Sequence, residues 1–576
     1  MGILTPEHPG AILPGMPGAP ASTFPRLAAW TLGVAFAALG LWIVWLASPR
    51  VPYADVWRFL ATWLELPFPA NALAADNGHR EVLPNLLRIA ELHGAAADQG
   101  LQIAVGAGLV CAFVVLCWRR LATADWLRAP VALVLASGVF WLGNGRKLAH
   151  GNEIVPLGLI AVWLLVGLCW LGPAPADGSR VLAGPLGVGP RRVAAAALCG
   201  LLATLSFGSG AACFLAFAVV LWVLRAPLRD HLPLWLGAAL AVLLLLFGGG
   251  GAKAEVALAP LAQADLWLRW FGAPFVWMLS PLLDPAHAAR QPVAWLREPL
   301  LAAAEPLQVA FGSPYAARWP AVLFGGLGAV WLLVQTHGLR RRSGGSPGER
   351  IALGLGWFGF AVGALVVAVR VDYFARLPVQ LTSQRYLPWS MLGWTGLVLG
   401  FLLRPTRRER GALATAFAMA LLLLPSTVWT GRNVFRQLRA AEWTALGAAV
   451  AVLDRDLGLV ETEAQDLERA VPLLAQHRTS VFAWPETQWL GEVPPAGALQ
   501  ELPARATRVD PVGNRFPGPG CRVWGEGPVP AGRRLLLLDQ AGVVRGLAWR
   551  APFDTVWSGW VRGQPSAAEL RVAVRR

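Results

Sequence analysis

The sequence predicts an all-α polytopic membrane protein of about eleven transmembrane or membrane-buried helices, followed by a small C-terminal β-rich domain outside the cytoplasm. Two observations carry this. Of the 576 residues, 56% are hydrophobic and only 14% are charged, with mean hydropathy +0.51, where an ordinary soluble domain is about 25% charged. Apolar runs of roughly 17 to 21 residues, the length that matches a ~30 Å hydrocarbon core, recur from Leu27 to Val428 and stop there.

The expected spans are 27–47, 101–118, 129–143, 154–172, 193–207, 209–225, 232–249, 319–336, 351–369, 387–403 and 412–428. The stretch 193–225 is too long for one helix and carries Gly208-Ser209-Gly210 at its middle, so it reads as two short helices that turn inside the bilayer near its outer side. Residues 1–26, rich in Pro and Gly, are expected to be a disordered cytoplasmic tail. Residues 27–430 form the membrane domain, with a first outward loop at 48–100, and 431–576 the C-terminal domain.

Orientation follows from arginine. Arg119-Arg120, Arg191-Arg192, Arg225 with Arg229, Arg340-Arg341-Arg342, and Arg404 with Arg407, Arg408 and Arg410 fall in short loops on alternate sides of successive spans. Such loops are cytoplasmic by the positive-inside rule. The net charge of +15 is thereby read as topology, and no nucleic-acid motif or partner is indicated. Segments 48–100, 144–153, 250–318, 370–386 and the tail from Gly431 then face outward, with the N-terminus in the cytoplasm and the C-terminus outside it. The basic residues are arginine apart from Lys147 and Lys253, as in a GC-rich bacterial genome, so a bacterial inner membrane and a periplasmic C-terminus are expected.

Two stretches of the first outward loop are amphipathic. Trp57, Leu60, Ala61 and Leu64 share one helical face, and Leu83, Leu86, Leu87 and Ala90 another, opposite Asn85 and Arg88. Both are expected to lie flat on the membrane. The Trp-rich segment Leu266–Leu283 fits either an interfacial or a re-entrant helix. Residues 432–475 read as helical, with acidic Glu461, Glu463 and Asp466. Short β-like runs at 535–538, 543–549, 555–561 and 570–574 indicate a β-sandwich or β-sheet. The six cysteines form no disulfide framework and no CxxC metal spacing.

Outward-facing polar residues near the membrane are few. They are Asp55 after the first span; His79, Arg80 and Glu81; Asn144, Arg146, Lys147, His150, Asn152 and Glu153 between spans three and four; and Arg370, Asp372, Arg376, Gln384, Arg385 and Tyr386 before span ten. A carboxylate there can act as general base on a hydroxyl, and arginines can hold a phosphate. The bland readings are an N-cap role for Asp55, a satisfied surface histidine at position 79, and lipid-headgroup pairing for Arg80 and Arg385. The 144–153 loop, with two cations, a carboxylate and two amides beside a span of ~15 residues, points to a cavity.

The arrangement resembles the GT-C superfamily of integral-membrane glycosyltransferases. Asp55 precedes Val56-Trp57, Asn77-Gly78-His79-Arg80 follows in the same loop, and Ser383-Gln384-Arg385-Tyr386 precedes a late span. In the bacterial group that it looks like, a glutamate stands where this chain has Gly78, and the acidic pair common in GT-C enzymes is reduced to Asp55. The resemblance implies transfer of a sugar from a polyprenyl-phosphate-linked donor to an extracytoplasmic glycan or lipid acceptor. It implies Asp55 as the base, Arg80 and Arg385 as phosphate ligands, His79, Asn144, Arg146, Lys147, Asn152, Glu153 and Tyr386 in the substrate pocket, and the C-terminal domain as an acceptor-binding unit. No cofactor or bound metal is expected, since the candidate ligands are too few. The competing classes are a transporter or flippase for a lipid-linked glycan and a non-catalytic scaffold of envelope-glycan assembly.

Overall fold

The computed structural model describes residues 23–76, 79–172, 188–247, 260–291, 294–312, 318–342, 344–454 and 462–576. Residues 1–22 of the expected N-terminal tail, Asn77 and Gly78 of the loop motif, and Glu461 of the acidic cluster lie outside this set. Thr23–Arg26, expected to belong to the tail, are the first turn of a helix.

That helix, α1 (Thr23–Ala47), leads into the first loop. The loop carries α2 (Val56–Glu65), an antiparallel pairing of Ala75–Asp76 with His79–Arg80, and α3 (Val82–Ala95). Next come α4 (Gly100–Leu121), α5 (Asp125–Phe140) and α6 (Gly151–Trp170), then α7 (Pro190–Thr204), α8 (Ala212–Val223) and α9 (Leu232–Leu246). The bundle is completed by α10 (Pro260–Leu283), α11 (Ala294–Phe311), α12 (Arg318–Arg341), α13 (Pro347–Arg376) and α14 (Leu387–Leu402). A 42-residue helix, α15 (Glu409–Val450), leaves the bundle for the C-terminal domain; at 1.5 Å per residue it is about 63 Å long.

Among the described residues eight helices are long and apolar enough to cross a membrane, as in a multi-pass membrane protein. This is fewer than the eleven expected from the sequence. Helices α7, α8 and α14 have 15, 12 and 16 residues, short of the ~20 a free span needs. For α14 protein covers the shortfall, since it is buried along nearly its whole length; α7 and α8 are joined end to end by a tight turn, Gly208–Ala211, that packs under His79.

Both amphipathic helices of the first loop depart from the expected membrane-surface position. In α2 the residues Trp57, Leu60 and Ala61 are fully buried in a cluster shared with Leu438, Ala445 and Leu446 of α15 and with Leu467 and Leu474 of α16 (Ala464–Gln476). In α3 the faces are inverted: Asn85 and Arg88 are buried while Leu86 is 43% exposed. The polar face turns inward because it has partners there, namely Glu81 for Arg88 and Gln102 for Glu91. The segment around Leu266–Leu283 runs into the bundle rather than over it. Trp270 and Phe271 are fully buried, and Trp267 and Trp277 donate their indole N–H to the carbonyls of Phe360 and Thr382 at 2.7 Å. Gly325 permits this approach, since a Cβ there would stand 1.8 Å from the Leu268 carbonyl oxygen.

The C-terminal domain is a closed barrel instead of a sandwich. Its strands are β1 (Leu499–Val512), β2 (Gly520–Glu526), β3 (Arg534–Leu538), β4 (Val544–Trp549), β5 (Trp557–Arg562) and β6 (Arg571–Arg575), in the order β1-β2-β5-β4-β3-β6. The first two carry many charged residues and escape a hydrophobic-run search. The run Leu535–Leu538 explains how the barrel seats on α15. Leu535 and Leu537 point into the barrel core, and Leu536 and Leu538 into the cluster with α2, α15 and α16, as strand alternation requires. Trp560 Nε1 donates to the Trp443 carbonyl of α15 at 2.9 Å, and Arg562 Nε to that of Val450 at 2.6 Å.

The loops sort to two ends. At one end Arg225 and Arg340 donate to the carbonyls of Arg340 and Trp222, and Arg26 pairs with Asp125 and Glu409. At the other end Arg88 donates to the Asn152 carbonyl, Arg432 to that of Arg290, and Arg58 pairs with Asp466. The first loop, the 144–153 turn, the segment before α14 and the C-terminal domain all gather at this second end.

Candidate functional site

Asp55 stands at the N-cap position of α2, but its side chain makes no capping hydrogen bond. It pairs instead with Arg58 one turn on, Oδ1 to Nη2 at 3.0 Å, and remains 49% exposed. The same guanidinium holds Asp76 through Nε at 2.6 Å and Nη2 at 2.8 Å, and Asp466 of α16 through Nη1 at 3.0 Å. One cation thus gathers three carboxylates from three separate segments. Burial raises the Asp55 carboxyl above its ordinary range, Arg58 opposes that, and the charges of Asp76 and Glu153 add to it. Burial raises Asp466 likewise.

A second cluster has the opposite sign. Glu153, in the first turn of α6, faces Arg146 Nη2 and Lys147 Nζ at 3.5 Å each. Both cations come from the turn Gly145–Leu148 and are buried. The Lys147 ammonium lies 5.5 Å and 5.8 Å from the ring centres of Phe207 and Trp389. Arg385 lies over the Tyr386 ring, donates to the Tyr373 hydroxyl at 3.3 Å, and its charge acts on Glu153. Arg370 donates to the Tyr386 hydroxyl at 3.0 Å. Here Gln384 Nε2, Arg385 Nε and Ser209 Oγ are buried with no hydrogen-bond partner, a cost that a polar ligand or water relieves.

His79 lies between the clusters. Its ring packs on Phe207, 4.6 Å between centroids, and its buried Nδ1 accepts no hydrogen bond. Burial pushes its pKa down to about 4, Arg370 and Lys147 push the same way, and Asp76 opposes them. The imidazole is therefore neutral at pH 7. A small cleft opens here, lined by Phe59, Trp63, Asp76, His79, Glu81 and Asn85. Glu81 of this lining is ion-paired behind it, Oε2 to Arg88 Nη1 at 2.6 Å, with Arg88 only 2% exposed.

The structure therefore brings Asp55, His79, Arg146, Lys147, Glu153, Arg385 and Tyr386 to one end of the bundle. Three expected pocket residues do something else. Arg80 follows His79 on the extended ladder and so faces the other way, where it reaches the Leu73 carbonyl at 3.4 Å on the exposed side. Asn144 is structural, its amide donating to the carbonyls of Gly138 and Val139 at the end of α5. Asn152 contributes its backbone carbonyl, which accepts from Arg88 at 2.6 Å. In turn, Arg58, Asp76, Arg88 and Asp466 belong to the site without having been considered for it from the sequence, and Glu81 and Arg370, counted there among the outward polar residues, were given no role. The available signal was an arginine in each of two amphipathic helices of an outward loop that also contains unpaired acids.

Among the described residues no group of three or more His, Cys, Asp or Glu is arranged to hold a metal ion; the three aspartates converge on a guanidinium. No family model, no curated protein and no solved structure matches this chain.

Proposed function

We propose that the chain is an integral-membrane glycosyltransferase of the GT-C type, moving a sugar from a polyprenyl-phosphate-linked donor to a glycan or lipid acceptor on the outer face of a bacterial inner membrane. The observation that carries the reading is the pair of clusters at one end of an apolar bundle. Lys147, Arg146, Arg370 and Arg385 supply excess positive charge for a lipid-anchored phosphate, and a half-exposed carboxylate with raised proton affinity, Asp55, stands at the same end of the bundle. In the reaction Asp55 takes the proton of the acceptor hydroxyl and the oxygen attacks the anomeric carbon. The bond from that carbon to the phosphate oxygen breaks, and polyprenyl phosphate leaves with its charge held by Lys147, Arg370 and Arg385. His79, neutral and lying between the clusters, presents a hydrogen-bond acceptor to the sugar.

Reconstitution of the full chain in liposomes with labelled polyprenyl-phosphate sugars tests this. Transfer to the acceptor pool is expected, with Asp55→Asn slower by about 100-fold or more. Equal transfer by Asp55→Asn removes the base assignment. Movement of the donor across the bilayer without any transfer replaces the whole reading with transport.

A further inference from the structure

The C-terminal segment reaches back to the residues on either side of Asp55. Thr462 Oγ1 accepts the backbone N–H of Ala54 at 3.2 Å, and Ala54 has φ +52°, a left-handed conformation costly for alanine and held by such an anchor. Asp466 Oδ2 takes Arg58 Nη1 at 3.0 Å, leaving Nη2 for Asp55 and Asp76. Thr462 and Asp466 are both buried, 6% and 7% exposed. The contact is broad as well as polar, because α2 and α16 share the apolar cluster around Trp57, Leu60, Leu467 and Leu474.

We propose that Thr462 and Asp466 are positioning residues for Asp55, so that the C-terminal domain completes the reaction site in addition to any role in acceptor binding. This rests on the transferase reading for its catalytic meaning, but not for its geometry. Asp466 draws the shared guanidinium toward itself and away from Asp55, and its own charge stands on the far side of Arg58. Arg58 from its own helix, Asp76 from the ladder and Glu153 from α6 act on Asp55, and the Asp55 charge in turn acts on Asp466 of α16, a repulsion that is mutual. Neutralising Asp466 removes one negative charge and frees Arg58 for Asp55, so the Asp55 carboxyl ionises at lower pH.

The experiment labels the full-length protein in detergent with a hydrophobic carbodiimide, which reacts with protonated carboxyls, and reads Asp55 modification against pH by mass spectrometry. In Asp466→Asn the midpoint for Asp55 is expected to move down by about half a pH unit or more; Asp466→Glu, which keeps the charge, stays near wild type. Thr462→Val, which removes the anchor, is expected to raise the labelling rate of Asp55 without moving the midpoint. An Asp55 midpoint unchanged in Asp466→Asn, with α16 still docked by limited proteolysis, overturns the proposal. Transfer assays on the same variants separate the two readings. A shifted midpoint in a protein that transfers no sugar leaves the positioning intact and removes the transferase, whereas transfer with an unshifted midpoint does the reverse.

Discussion

The Arg58 and Glu153 clusters are built alike and charged oppositely. In the first, one guanidinium holds Asp55, Asp76 and Asp466, leaving two negative charges in excess when all are ionised. In the second, one carboxylate faces Arg146, Lys147 and Arg385, leaving two positive charges in excess. Each imbalance is tolerated because the central group offsets part of the repulsion, by about 4 kcal/mol for a pair 4 Å apart at an effective dielectric of 20. The difference lies in what each excess can do. A surplus of carboxylates raises proton affinity, as a base requires, whereas a surplus of cations suits an anion such as a phosphate. His79 feels both, Asp76 from one side and Lys147 and Arg370 from the other, and stays neutral.

The largest effect should follow from removing the centre of the negative pole. Arg58→Leu leaves three carboxylates facing one another and is expected to cost about 3 kcal/mol or more, seen as a lower melting temperature in detergent and faster proteolysis between α15 and α16. An unchanged melt would mean that the aspartates are not held through Arg58.

Next in size is the response to acid. His79 and His150 are both pushed from 6.5 down to about 4 by burial, so the unfolded chain binds protons between pH 6.5 and 4 that the folded chain refuses. Stability is therefore complete above pH 6.5 and lost as pH falls through that window, by on the order of 2 kcal/mol per histidine between pH 7 and 5. His150 stacks on Tyr53 at 4.8 Å, and His150→Phe should flatten the slope of melting temperature against pH. A slope that stays the same would show that His150 is not the source of the acid sensitivity, since the raised carboxyls of Asp55 and Asp466 take up protons more readily in the folded state and tilt the slope the other way.

The positive pole predicts a smaller, binding-level effect. Lys147→Ala and Arg385→Ala should each weaken farnesyl phosphate about tenfold in equilibrium binding, while Arg80→Ala, on the other face of the ladder, changes it less than about twofold. Equal losses at Arg80 and Arg385 would place the phosphate outside the cluster. The smallest effect belongs to the exposed pair of Arg469 and Glu65, 45% and 38% exposed. Arg469→Ala should cost under about 1 kcal/mol and leave α16 docked, which would separate the role of Asp466 from general adhesion of the two helices.

Much of the architecture was legible in the chain. Apolar runs of bilayer length marked the eight helices long and apolar enough to cross a membrane, though not α10 or α11, and the Gly208-Ser209-Gly210 break correctly divides α7 from α8. The sorting of arginine-rich and mixed loops matches the two ends of the bundle. The partial failures share a cause. Leu86 faces out and Arg88 faces in because a buried ion pair and a backbone carbonyl waited for Arg88, and a hydrophobic pattern contains no information about partners far along the chain. Trp57 and Leu60 looked like membrane-surface residues because a helix face meant for lipid and one meant for protein have the same composition. Only the arrival of α16, some 400 residues later, distinguishes them. Likewise Arg80 matched a motif, yet the period of the strand turned it away from the site that His79 faces.

By itself the sequence determined that this chain must bury long apolar helices and collect its sparse ionisable groups beyond their ends, because hydrocarbon excludes unpaired charge. Tertiary structure alone decided which of those groups share a centre. Asp55, Asp76 and Asp466 meet at Arg58 because three distant backbones converge there, and charge interactions depend on distances in space that local sequence patterns do not encode.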